Sequence, residues 1–318
     1  MRANPHNNKM SENQLRLYLI LCCLLLTSCQ FTAQQRTPKT MQLYVTVDWE
    51  GQSLLDENII AMQQFRQKFP HIPILQLINP AYFVKSHGNE KRLTKIIQST
   101  FLPADTQGLH VHPWKSLMQY CGIQYQHQFS FADIDENCKT GDCGYTVSLE
   151  FAYTEAELTR LIGCSNQILV ENGFHRPVHF RAGGWQLGPK LIAALEANNF
   201  IWDSSIIDAN LLTTRWHEQS SIVQMLKQLH PDATPLDQPY ALTKTIVEYP
   251  NNAALADYTT SKQILTLFKK LIAANKKVMV LGFHQETASD FLIHLEKAIP
   301  QMEAIAEANN IQLKWLSK

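Results

Sequence analysis

"QLYVTVDWEG", residues 42–51, stays mostly apolar through Val47 and then delivers two carboxylates, Asp48 and Glu50, separated by one tryptophan. Alternating aliphatic and β-branched residues predict a strand. No glycine-rich loop of the kind that cradles a nucleotide phosphate follows it, which argues against an open dinucleotide-binding sheet. In an extended segment residues i and i+2 project to one face, so Asp48 and Glu50 should share a face where the strand ends.

Outward from this stretch, strands and helices alternate. "DENIIAMQQFRQKF" (56–69) has helical spacing with Asp56 as its cap, "IPILQLI" (72–78) is a buried-type strand, and "NEKRLTKIIQST" (89–100) a helix. "QGLHVH" (107–112) is a third strand, and a long amphipathic helix over 153–172 opens at Thr154 and closes at Gly173. Further strands are predicted in 177–183, 200–205, 244–250 and 277–284. Helices are expected near Pro189 to Ala197, Ser261 to Ala274 and Ala288 to Ala308, with a last strand over 311–316. Strands alternating with helices imply parallel strands with helices packed outside. The expectation is an α/β fold: a distorted (β/α) barrel of seven or eight strands in one catalytic domain. Active sites of such barrels sit at the C-terminal ends of the strands.

Polar groups fall at those ends. "GLHVHPW" (108–114) puts His110 and His112 on one face, "FRAGGW" (180–185) ends in Arg181, "IWDSS" (201–205) in Asp203, and "LGFHQE" (281–286) in His284. A lone H-x-H is often just a polar strand edge. Five such endings on strands sharing a rim point instead to a combined metal and acid–base site. One carboxylate and two imidazoles suit a catalytic zinc with an open position for water. A second carboxylate can take a proton from that water, and a histidine can protonate a departing amine near neutral pH.

These motifs resemble the polysaccharide deacetylase family, carbohydrate esterase family four, in the branch whose first motif reads D-x-E. The resemblance runs from about Met41 to His284. It implies a distorted (β/α) barrel that removes N-acetyl groups from a glycan with a divalent metal, zinc being the expected ion. Asp48 matches the family's general base, Glu50, His110 and His112 its metal ligands, Arg181 the residue that keeps the base ionised and oriented, and His284 the acid for the leaving amine. Trp114, Trp185 and Asp203 are the candidate substrate-side residues, the tryptophans as platforms for sugar rings and Asp203 standing behind the reacting groups. A backbone N–H in "AGGW" is a candidate oxyanion donor. Three features depart from the commoner pattern: the histidines are separated by one residue rather than three, Glu50 replaces an aspartate, and "AGGW" replaces a proline-rich form. The last leaves the substrate open. Two other readings compete: a hydrolase of a non-carbohydrate C–N bond, and a catalytically inactive glycan-binding lipoprotein.

The N-terminus carries an address. A basic start precedes "LYLILCCLLL" (17–26), ten apolar residues that suit a signal peptide and are too few to span a bilayer about 30 Å thick. Leu26-Thr27-Ser28-Cys29 resembles a lipobox, which implies cleavage before Cys29 and a lipid on its thiol. Met10 is an alternative start. The expected organisation is a lipoprotein signal peptide over 1–28, a polar tether over 29–40 and the barrel domain over 41–318. The expected location is the periplasm, lipid-anchored at the outer membrane because Gln30 follows the cysteine, with no other membrane contact. In an oxidising compartment Cys121, Cys138, Cys143 and Cys164 can form disulfides. Four cysteines allow three pairings, and Cys138 with Cys143 would close a short loop. Lysine plus arginine equal aspartate plus glutamate at 28 each, so no basic excess points to nucleic acid. Oligomeric state is left open.

Overall fold

The computed structural model describes residues 39–85, 88–132 and 141–318. Nine strands form one sheet: β1 (Lys39–Trp49), β2 (Ile74–Ile78), β3 (Thr106–Val111), β4 (His179–Ala182), β5 (Trp202–Asp203), β6 (Tyr240–Ala241), β7 (Val247–Glu248), β8 (Val278–His284) and β9 (Ile311–Leu316). Eight run in the order β6-β7-β5-β4-β3-β2-β1-β8 and β9 pairs with β1 off this path; every pairing is parallel except β6 with β7. The principal helices are α1 (Asp56–Lys68), α2 (Glu90–Gln98), α3 (Glu155–Glu171), α4 (Pro189–Ala197), α5 (Ser221–Leu229), α6 (Ser261–Ala273) and α7 (Ala288–Ala308).

β1 shows how the sequence sets the layers. Leu43, Val45 and Val47 join the main core with helix residues such as Met62, Phe65, Phe268 and Leu295. The alternate residues Tyr44, Thr46 and Asp48 are also buried, but Tyr44 belongs to a separate cluster with Val280 and Tyr249, on the opposite face. This is the two-residue period of a strand covered on both sides. Arg181 on β4 bonds Thr46 and Asp48 on β1, although β3 and β2 lie between those strands. Strands are spaced about 4.8 Å apart, so a flat sheet would separate the two by about 14 Å, beyond the reach of an arginine. The sheet therefore curls, and the contact crosses its interior.

The curl is completed without a full strand. Between β7 and β8 the segment 249–256 bonds to both sides: Tyr249 N–H to Asp203 O and Asn251 N–H to Ile206 O on one, Ala253 N–H to Val280 O and Ala256 N–H to Gly282 O on the other. This irregular closure makes a distorted (β/α) barrel of the kind expected.

Several boundaries differ from expectation. Lys39 and Thr40, assigned to the tether, belong to β1 because β9 pairs with Lys39 through Tyr44, which sequence spacing does not reveal. The N-cap of α1 is Leu55, so Asp56 is not a cap but an acid in the first turn, where it favours the positive end of the helix dipole. Thr154 does cap α3, in a reciprocal pair with Glu157. The strands expected over 200–205 and 244–250 shrink to two residues each, and α5 and β6 were not expected.

Cys121 and Cys164 form a disulfide that ties the end of the Lys115–Tyr120 helix to α3, and Cys143 is also disulfide-bonded. Cys138 lies outside the described residues, as do Cys29, the expected signal peptide, and the tether up to residue 38. No helix of the described residues is long and apolar enough to cross a membrane.

Candidate metal and proton-transfer site

Strand register delivers the polar residues as neighbours. Asp48 lies opposite His284 across β1 and β8, and His110 opposite Arg181 across β3 and β4. Asp48, Glu50, His110, His112, Trp185 and His284 all line one chamber of about 60 Å³.

Glu50, His110 and His112 present ligand atoms within 4.8 Å of one another, all three buried. Each imidazole is held from behind: His110 Nδ1 by the carbonyl of Arg181 at 2.9 Å, His112 Nδ1 by that of Tyr145 at 2.5 Å. A carbonyl only accepts, so each Nδ1 carries a hydrogen, and each ring in its neutral form turns an Nε2 lone pair inward. Those two Nε2 atoms face Glu50 Oε2, at 3.3 Å for His110 and 2.5 Å for His112. His112 Nε2 is buried without a hydrogen-bond partner among the described residues. One carboxylate and two imidazole Nε2 atoms converge here, a donor set that fits a divalent cation once both rings are neutral. Burial alone would push the Glu50 carboxyl up, but the imidazoles of His112, His110 and His284 outweigh it and hold it well below the usual carboxylate range.

The loop carrying Glu50 is braced from several elements. Its carbonyl accepts from Trp114 Nε1 at 2.8 Å and Asn79 Nδ2 at 3.1 Å, and its N–H donates to Glu286 at 3.3 Å. Lys85 donates to Gly51 O while lying 3.1 Å over the Trp114 ring. Trp114 thus serves the ligand loop with both its ring and its N–H. It does not line the chamber, contrary to its expected role as a sugar platform.

Beside the ligands stand two supported titratable groups. Asp48 Oδ1 accepts from Arg181 Nη1 at 2.9 Å, and Arg181 is itself fixed by Thr46 Oγ1, Ser204 O and Ser204 Oγ. On the neighbouring strand, with its ligand atom within 4.8 Å of those of Asp48 and Glu50, His284 places Nε2 3.1 Å from Glu50 Oε1 and Nδ1 3.1 Å from Asp257 Oδ2. Burial would lower the His284 pKa, but Asp257 and Glu50 raise it well above the usual histidine value. Burial likewise opposes ionisation of Asp257, while His284 and Thr287 bring its carboxyl below normal.

Asp257 went unseen in the sequence. It lies in "NNAALADYTT" (251–260), which has no strand periodicity; an acid near the expected barrel closure was the one available hint. Asp203 stands behind Arg181 rather than at the chamber wall. It is fully buried and does not line the chamber; its carboxylate accepts from Ser205 N–H and Oγ, and Ser205 Oγ in turn accepts from Ala182 N–H. Its role is to set the Ser204–Ser205 turn against which Arg181 rests. Burial pushes both Asp203 and its neighbour Glu248 upward, Glu248 the further because Asp203 adds to it. The Ala182 N–H is consumed by this turn, which removes it as an oxyanion donor. Trp185 does line the chamber, 5.6 Å from Tyr258 and 6.5 Å from His284 between ring centroids.

Fold and site together define a distorted (β/α) barrel with a buried, metal-capable cluster of carboxylates and imidazoles. Neither a family model nor a curated protein matches the sequence. Among solved structures, the chain is similar to a candidate polysaccharide deacetylase from Mycobacterium smegmatis, at 13% identity over 86% of this chain and 87% of that one, with a TM-score of 0.48. It is similar to a family 4 carbohydrate esterase from Streptomyces lividans, solved with acetate, at 9% identity over 87% and 92% of the chains, with a TM-score of 0.38. A family 4 acetyl xylan esterase from Clostridium thermocellum, solved with cobalt, matches at 8% identity over 86% and 87%, with a TM-score of 0.40.

Proposed function

We propose that the protein is a divalent-metal-dependent N-deacetylase of a cell-envelope or extracellular glycan. The observation that carries this reading is the pairing of a buried Glu50, His110 and His112 ligand set with two braced titratable groups, Asp48 held by Arg181 and His284 held by Asp257. A divalent ion held by Glu50, His110 and His112, zinc being the expected one, would lower the pKa of a water and polarise the amide carbonyl.

The chain's own residues divide the remaining work. Asp48, anchored through Oδ1, takes a proton from the attacking water. His284, kept protonated by Asp257, gives its proton to the nitrogen of the leaving amine, which leaves poorly without one. Acetate and a free amino sugar result. The chamber's other wall is apolar, with Phe131, Trp185 and Ile222, and its about 60 Å³ suits an acyl group as small as acetyl.

The reading is tested by assaying acetate released from a panel of N-acetylated oligosaccharides by metal-loaded and chelator-treated protein. Release from at least one glycan, lost on chelation and restored by zinc, is the expected result. No release from any glycan by metal-loaded protein would refute it. The location belongs to the same proposal: Cys29 carries the lipid and the domain faces the periplasm from the outer membrane. Cys29→Ser should then yield soluble protein or an uncleaved precursor on fractionation, and wild-type membrane association in that variant would contradict it.

A further inference from the structure

A second cavity, of about 360 Å³, adjoins the chamber and shares Glu50, Tyr145, Trp216, Tyr258 and His284 with its wall. Three carboxylates and one guanidinium also belong to that wall, and the acids are all engaged. Glu50 faces the histidines. Asp257 bonds His284 with one oxygen and Thr287 with the other. Glu286 accepts from Tyr82 and from the N–H groups of Glu50 and Gln52.

Arg215 differs. Its guanidinium donates no hydrogen bond to a described residue, and its nearest carboxylate oxygen, Asp257 Oδ1, is 3.7 Å away and already bonded to Thr287. Its side chain is 47% exposed, yet it is not loose: Cζ lies 4.9 Å from the Phe291 ring centroid and 6.0 Å from that of Tyr258. Aromatic faces attract a cation and hold it without using its N–H groups. A planar fork of donors is thus presented at the wall of a cavity that also contains His284.

We infer that Arg215 forms a subsite for an anionic substituent, a carboxylate or a phosphate, on the glycan at or next to the sugar whose N-acetyl group is removed. The inference rests on the deacetylase reading for its substrate class. Bidentate geometry suits both anions, and lysine would replace the charge but not the fork.

The test uses zinc-loaded protein and three N-acetylated oligosaccharides of equal length: one neutral, one bearing a hexuronic acid, and one bearing a phosphate monoester. Binding is followed by tryptophan fluorescence, since Trp216 lines both cavities, and acetate release is measured in parallel. Wild type should bind at least one anionic probe roughly ten- to a hundredfold tighter than the neutral one, the scale of a charge-assisted hydrogen bond. Arg215→Gln should bring that ratio near one, and Arg215→Lys should leave part of it. Taking the ratio within each variant cancels any effect passed through Asp257 to His284. The probe with the larger preference identifies the anion. A wild-type ratio near one, a ratio that survives in Arg215→Gln, or binding of no probe would overturn the subsite. Arg215-dependent preference without acetate from any probe would leave the subsite standing and remove the deacetylase reading; acetate release without preference would do the reverse.

Discussion

Gly183→Ala should weaken metal binding without unfolding the barrel. Gly183 follows β4 directly, and a Cβ there would stand 2.6 Å from His112 Nδ1, 2.7 Å from His112 Cε1 and 2.7 Å from Val111 O. Ordinary contact begins near 3.4 Å, so the ring would have to retreat by ~0.8 Å. It has nowhere to go: its Nδ1 is bonded to Tyr145 O at 2.5 Å and its face stacks on the Tyr145 ring at 4.4 Å. Overpacking of this kind costs about 1–3 kcal/mol, within the usual stability of a domain. If the ring yields, the bond that orients Nε2 is lost, and such losses weaken metal affinity about 10–100-fold. Zinc affinity by competition with a chromogenic chelator, alongside a thermal melt, measures both effects. A folded variant with wild-type zinc affinity would refute the proposed placement of His112.

Asp257→Asn should retain zinc and lower kcat about ten- to a hundredfold, the scale of one charge-assisted hydrogen bond. The loss should shrink on an N-aryl acetamide, whose leaving amine needs little protonation, and an equal loss on both substrates would count against the His284 assignment. Away from the site, burial lowers His179 to about 4, against the ordinary 6.5. The unfolded chain therefore binds the extra proton first, so stability present above pH 6.5 is lost as the pH falls towards 4, by about 3 kcal/mol from this group. Urea midpoints across that range should show the decline, and His179→Gln should flatten it; an unchanged slope in the variant would show that other groups carry it.

The polar rim was legible because parallel strands buried on both faces read as apolar runs, and an ionisable group closing such a run stands out. Asp48, Glu50, His110, Arg181 and His284 all have that form, and β1, β3, β4 and β8 place them side by side. Asp257 does not have it. It reaches His284 from the segment that closes the barrel, whose one bridge, Leu255 to Gly282, depends on tertiary packing rather than a pattern of its own. Asp203 was grouped with the substrate-side residues although it stands behind them, for the opposite reason. A strand ending in an acid looks the same whether the carboxylate faces the cavity or turns back onto Ser205, and only the bonds to the Ser205 N–H and Oγ separate the two. The helix α5 has amphipathic spacing, but serines and polar residues around "SIVQMLKQL" (221–229) kept it from standing out between irregular loops. At the N-terminus, Lys39 and Thr40 carry nothing that marks a strand until β9, nearly the whole chain away, supplies the partner.

The proposed division of labour gives Asp48 the proton and Glu50, His110 and His112 the metal. It is tested most directly by measuring zinc content and single-turnover acetate release for Asp48→Asn on a glycan the wild type deacetylates. One zinc per chain is expected in both proteins, with a rate about 10²–10⁴ lower in the variant, the usual scale for a positioned proton-transfer group. Near-wild-type turnover with zinc bound would contradict it.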